Sequence, residues 1–104
     1  MSHIIMALDQ GTTSSRTILF DENGKIVAEA NAALDCQFPQ SGWVEQVPED
    51  IWNSQRQTIE AALSQAKLTM KDISAVGITN QRESTIAWNR ESGRALGPAI
   101  NWQC

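Results

Sequence analysis

The sequence predicts an α/β domain with the element order β-β-β-α-β followed by a β-hairpin. Three observations carry that reading. Residues 3–9, 14–21 and 25–34 are short apolar or β-branched runs joined by brief turn-like connections, as in an antiparallel meander. Pro48 then opens a segment with apolar residues at helical spacing. After it, Ile73 to Asn80 returns as a strand; a strand reached through a helical crossover is expected to run parallel to one of the first three.

Taken in order, residues 3–9 end in Asp9 and are apolar at consecutive positions, so both faces are expected to be covered. Asp21-Glu22-Asn23-Gly24 is a turn signal, because Asn-Gly suits the positive φ of tight hairpins. The third run opens with Ile26 and Val27, and its alanines weaken its strand character toward the end. Cys36 to Val47, with Pro39, Ser41-Gly42 and Trp43, reads as a loop with Trp43 packed at the core edge. The helix carries Glu49 and Asp50 at its positive end. Trp52, Ile59, Leu63 and Ala66 form its inward face beside Ala62, and Gln57, Glu60 and Ser64 its outward one. Residues 85–89 and 95–102 are shorter strand candidates joined through Glu91-Ser92-Gly93-Arg94.

Composition narrows the function. A chain of 104 residues suits one compact domain rather than two. A net charge of -4 with no basic cluster argues against a nucleic-acid surface. No segment approaches the roughly 18 to 20 apolar residues of a membrane span, and no basic flank with an apolar run marks an exported N-terminus. Cys36 and Cys104 form no C-x-x-C pair, and with His3 the one histidine they argue against zinc; reduced thiols in the cytoplasm are expected. His3, near a terminus, reads as solvated. The apolar stretch running into Trp102-Gln103-Cys104 leads us to expect an ending in mid-structure.

Two polar clusters stand just beyond strand ends, where open α/β sheets place ligands. The first is Asp9-Gln10-Gly11-Thr12-Thr13-Ser14-Ser15-Arg16. Asp9 suits water on magnesium, Gly11 allows close approach of backbone N–H groups to phosphate, the hydroxyls of Thr12, Thr13 and Ser14 are donors, and Arg16 is a charged fork. Neither G-x-x-x-x-G-K-[ST] nor G-x-G-x-x-G is present, and on local chemistry a polar turn without ligand stands equally. The second cluster is Thr79-Asn80-Gln81-Arg82-Glu83. Arg82 supplies donors and Glu83 acceptors, a pair able to grip the vicinal hydroxyls of a polyol, or else a solvated ion pair. Trp102 would wall the carbon chain or pack in the core. If the first and fourth strands are parallel neighbours, both clusters share one rim.

These segments, with Gly42-Trp43-Val44-Glu45 and Trp102-Gln103, resemble in order and spacing the N-terminal part of the FGGY carbohydrate kinase family. The Thr-Asn-Gln-Arg-Glu segment resembles the members that act on glycerol. The resemblance implies a ribonuclease H-like, actin-type ATPase fold, with residues 1–104 as part of the N-terminal domain and the C-terminal domain absent. It implies ATP-dependent phosphorylation of glycerol to glycerol 3-phosphate with magnesium in a cytoplasmic, homo-oligomeric parent enzyme. Asp9 would act on the metal through water. Gly11, Thr12, Thr13 and Ser14 would contact ATP phosphates, Thr12 nearest the transferred group, and Arg16 would contact ADP. Arg82, Glu83 and Trp102 would hold glycerol. The general base and adenosine pocket would lie beyond Cys104, so no catalytic residue is expected within this chain and the isolated chain is expected to be inactive. The alternatives are a pentulose-type kinase of the same family, a non-catalytic actin-like binding module, and a structural domain without ligand.

Overall fold

The computed structural model describes residues 3–34, 45–80 and 86–100. Strands β1 (Ile4–Gln10), β2 (Ser14–Phe20) and β3 (Ile26–Ala33) form the expected antiparallel meander. Helix α1 (Pro48–Ala66) crosses to β5 (Ile73–Thr79), which pairs parallel to β1 and gives the sheet order β3-β2-β1-β5. A second ribbon pairs β4 (Glu45–Gln46) with β6 (Ala99–Ile100).

Local chemistry explains each turn. Between β2 and β3 the Asp21 carboxylate accepts the Asn23 and Lys25 amides, each at 2.9 Å, and Gly24 takes the positive φ of 81°. Pro48, Glu49 and Asp50 start α1, where a missing amide and two carboxylates suit the unpaired positive end. The helix stops at Lys67, which adopts a left-handed φ of 58°. The Leu68 amide reaches back to the Leu63 carbonyl at 2.9 Å, and both leucines join the core in a Schellman-type ending. A short 3-10 turn, Met70–Asp72, follows, its Asp72 carboxylate accepting the Thr69 amide at 2.8 Å.

Because strand side chains alternate, the register assigns two faces. One carries Ile4, Met6, Leu8, Thr17, Leu19, Ala28 and Ala30 and lies beneath α1; Ile4, Met6, Leu19, Ala28, Ala62 and Leu63 form the buried cluster. The other carries Ile5, Asp9, Arg16 and Glu29 and is open, with Ile5 44% exposed. Coverage of both faces, expected from the apolar run of β1, is therefore not met among the described residues. β1 is central by pairing, yet only one of its faces has a helix over it. Even that face is uncovered over β5, where Ile78 is 73% exposed, because α1 packs against β2 and β3.

Three further expectations change. Trp52 is not buried but 58% exposed. The buried residues of α1 are Ser54, Gln55, Thr58, Ala62 and Leu63. Trp52 shares the stripe of Ile59 and Leu63, about 20° from each at 100° per residue, but lies about 16 Å along the axis from Leu63, toward the N-terminal end of the helix. The loop expected over 36–47 contains β4 at its end. The closing hairpin shrinks to one bridge, Trp88 to Ala95, around a turn in which Asn89 Oδ1 accepts the Glu91 and Ser92 amides; residues 99–100 pair with β4 instead. Expectations at Cys36, Trp43, Arg82, Glu83, Trp102 and Cys104 lie outside the described residues.

Candidate functional site

The parallel register sets Asp9 of β1 beside Thr79 of β5. The hydroxyl-rich turn after Asp9 and the first residues of the second cluster, Thr79 and Asn80, therefore stand at one rim on the ends of adjacent strands, where open α/β sheets place ligands. Thr79 and Asn80 are exposed there. Gln81, Arg82 and Glu83 follow them in sequence and lie outside the described residues.

The phosphate-type turn is a braced hairpin. The Gly11 amide donates to the Ser14 carbonyl at 3.0 Å, and a Cβ on Gly11 would meet that carbonyl at 3.1 Å. A side chain at position 11 would therefore need that carbonyl to shift by a few tenths of an ångström, and the Gly11 amide itself is used in closing the turn. The Gln10 side chain donates to the Gly11 carbonyl at 3.1 Å and accepts from the buried Ser15 hydroxyl at 3.0 Å. Leu34 donates its amide to the Thr13 carbonyl at 2.9 Å, and Gln46 donates Nε2 to the Thr12 carbonyl at 2.6 Å. Thr13 is exposed at the tip, with Thr12 and Ser14 half-buried beside it.

Asp9 and Arg16 stand opposite each other across β1 and β2, with Arg16 Nη2 3.3 Å from Asp9 Oδ2. Arg16 Nη1 also lies 3.5 Å from Glu29 Oε2. Side chains in both pairs are about two-fifths exposed. Such pairs contribute about 0.2–1 kcal/mol each, so they orient the guanidinium without holding it against a stronger anion. Phosphate is such an anion, and Arg binds it through two parallel N–H donors.

Behind the site, Gln55 Nε2 donates to the Arg16 carbonyl at 3.0 Å and lies 3.1 Å from both Thr17 Oγ1 and Thr58 Oγ1. Thr58 gives its one hydroxyl proton to the Gln55 carbonyl at 2.7 Å, so Thr17 is the donor in the 2.8 Å contact between the two threonines. Sequence reasoning missed Glu29, Gln46, Gln55 and Thr58. Glu29 was reachable by counting back from the Asn23-Gly24 turn, which sets it diagonal to Arg16. Gln46, Gln55 and Thr58 carried no signal, since polar residues on a loop and helix read as solvated.

Asp9 suits magnesium: it is a half-exposed carboxylate at a strand end, and the cation keeps most of its waters and takes one or two carboxylates. Among the described residues no group of three or more His, Cys, Asp or Glu side chains comes together. His3 is exposed, 3.3 Å from the Ser74 hydroxyl. No helix of the described residues is long and apolar enough to cross a membrane.

A mixed sheet with a crossover helix defines an α/β domain. The chain belongs to the FGGY family of carbohydrate kinases, residues 4–104 matching that family's N-terminal domain. It is 54% identical over 99 residues to glycerol kinase of Acinetobacter baylyi, covering 95% of this chain and 20% of that protein. Its fold is similar to glycerol kinase of Plasmodium falciparum in a crystal structure with ADP (TM-score 0.85, 30% identity, 98% of this chain and 21% of that one). It is likewise similar to a xyloylose kinase from Brucella ovis (TM-score 0.90, 31% identity, 97% and 21%). The fold expectation, part of an actin-type ATPase domain, holds in these matches. The chain spans about a fifth of the length of the curated relatives it matches.

Proposed function

We propose that residues 1–104 are part of an N-terminal kinase domain and supply the phosphate-facing half of a site that phosphorylates glycerol with ATP to give glycerol 3-phosphate. The observation that carries this reading is the register of Asp9 beside Thr79, which sets the hydroxyl-rich turn next to the strand leading to Arg82 and Glu83. In the proposed reaction a glycerol hydroxyl oxygen attacks the γ-phosphorus while the bond to the β,γ-bridging oxygen breaks. The hydroxyl proton passes to a base that this chain does not supply.

Such transfer depends on positioning and charge stabilisation more than on covalent chemistry, and this chain's groups suit those tasks. Thr12, nearest the transferred group, and Thr13 and Ser14 donate hydroxyl hydrogen bonds to phosphate oxygens. Arg16 moves from its two weak carboxylate pairs to the nucleotide's phosphates. Asp9 would hold magnesium through water, and the ion would supply charge neutralisation at the phosphate oxygens. Arg82 and Glu83 grip glycerol hydroxyls, and Trp102 covers the carbon chain.

A pentulose substrate is the second reading, favoured by the fold similarity to the Brucella ovis enzyme. The higher identity to a glycerol kinase weighs against it. A coupled ADP-release assay on the full-length chain carrying this segment, with glycerol and pentuloses in parallel, decides. Glycerol is expected to give the higher kcat/KM, and preference for a pentulose overturns the glycerol assignment. The isolated 104-residue chain is expected to show no turnover.

A further inference from the structure

We infer that Gln46 is a positioning residue for the phosphate turn, holding the Thr12–Thr13 peptide so that its N–H faces the ligand side; the inference rests on the kinase reading above. Gln46 is fully buried in the stretch where a loop was expected. Burial of a carboxamide is costly unless its donors are used. Its Nε2 donates to the Thr12 carbonyl at 2.6 Å.

Peptide planarity makes that one bond act on the whole turn. In a trans peptide the carbonyl and the following N–H point in opposite directions. Fixing the Thr12 carbonyl inward, toward buried Gln46, therefore directs the Thr13 amide outward, on the side where Thr13 is exposed. A rotation of this peptide would present a carbonyl oxygen to an anion instead of a donor. The Leu34 amide fixes the next carbonyl, that of Thr13, at 2.9 Å, so the following peptide is held as well.

Gln46 is itself fixed by the β4–β6 ribbon, where it pairs with fully buried Ala99. Gly11, Gln10 and Ser15 close the base of the turn, whereas Gln46 reaches its tip from outside the hairpin. That division assigns hairpin closure to the hairpin and tip orientation to β4.

The test uses the full-length chain and the substitutions Gln46→Met and Gln46→Glu. Methionine keeps the length and removes the donor. An ionised glutamate is acceptor-only but regains a donor when protonated, and burial raises the pKa of an introduced carboxyl. We expect Gln46→Met to raise the KM for ATP about tenfold, the loss of one hydrogen bond, with the KM for glycerol within about twofold. We expect Gln46→Glu to recover toward wild type as pH falls, while Gln46→Met does not. An unchanged KM for ATP, an equal rise in both KM values, or identical pH profiles for the two variants overturns the inference. The unsubstituted enzyme separates the two claims. If it releases no ADP with glycerol, the glycerol reading fails, and the Gln46 comparison is then read from magnesium-ATP affinity by calorimetry. There a tenfold loss in Gln46→Met supports the positioning role and equal affinity overturns it.

Discussion

The interface between α1 and the sheet has two ends of opposite chemistry. At the end away from the rim, Ala62 and Leu63 meet Ile4, Met6, Leu19 and Ala28 in an apolar cluster. At the site end, Gln55 and Thr58 meet Thr17 and the Arg16 carbonyl through hydrogen bonds. The contrast separates two tasks. Apolar burial is non-directional and supplies free energy in proportion to area. Hydrogen bonds add little net stability but fix direction, and leaving a buried one unmade is costly. The chain places the directional end behind Arg16, where orientation bears on ligand, and the non-directional end where only cohesion is needed.

The largest effect is expected at the apolar end. Leu19 is fully buried between α1 and the sheet, so Leu19→Ala should cost about 2–5 kcal/mol through lost transfer energy and a residual cavity. Urea denaturation of the chain, followed by circular dichroism, measures this. A loss below about 1 kcal/mol would mean that the cluster does not hold the helix to the sheet.

The polar end should behave differently, and a paired substitution shows how. Thr58→Val leaves the Thr17 hydroxyl without its buried acceptor, at a cost of about 1–3 kcal/mol. Adding Thr17→Val removes the stranded partner, so the double variant should lose less than the sum of the two single losses. Additive losses would indicate that the threonines do not act as a pair, and the division between the two ends would fail. Ser54 Oγ and Gln55 Oε1 are buried without a hydrogen-bond partner, which makes this end the one where a bound water could change the balance.

The sequence was informative where a residue's own backbone preference or strand periodicity decides structure. The meander, the Asp21–Lys25 turn, the start at Pro48 and the parallel return of β5 follow from such rules, as does the shared rim of Asp9 and Thr79. It was uninformative where a polar side chain is buried by something distant in the chain. Gln46 and Gln55 look like solvent-facing residues until the hairpin that uses their amides is present. For the same reason the close approach of the Ser14 carbonyl to Gly11 was not legible. Residue types at the site were therefore legible, and their supports were not.

Trp52 gives the smallest effect and tests where along α1 the apolar contact ends. An apolar-periodicity argument puts it in the core, where truncation to alanine costs about 3–5 kcal/mol. It does share the stripe of Ile59 and Leu63, yet near the N-terminal end of the helix, away from the apolar cluster, it is 58% exposed. Trp52→Ala should then change stability by no more than about 0.5 kcal/mol, well below Leu19→Ala in the same denaturation series. If Trp52→Ala matches Leu19→Ala, apolar cohesion extends along the whole helix and the division between its two ends fails. A near-neutral result confines that cohesion to the Leu63 end and leaves the Gln55 end to its directed hydrogen bonds.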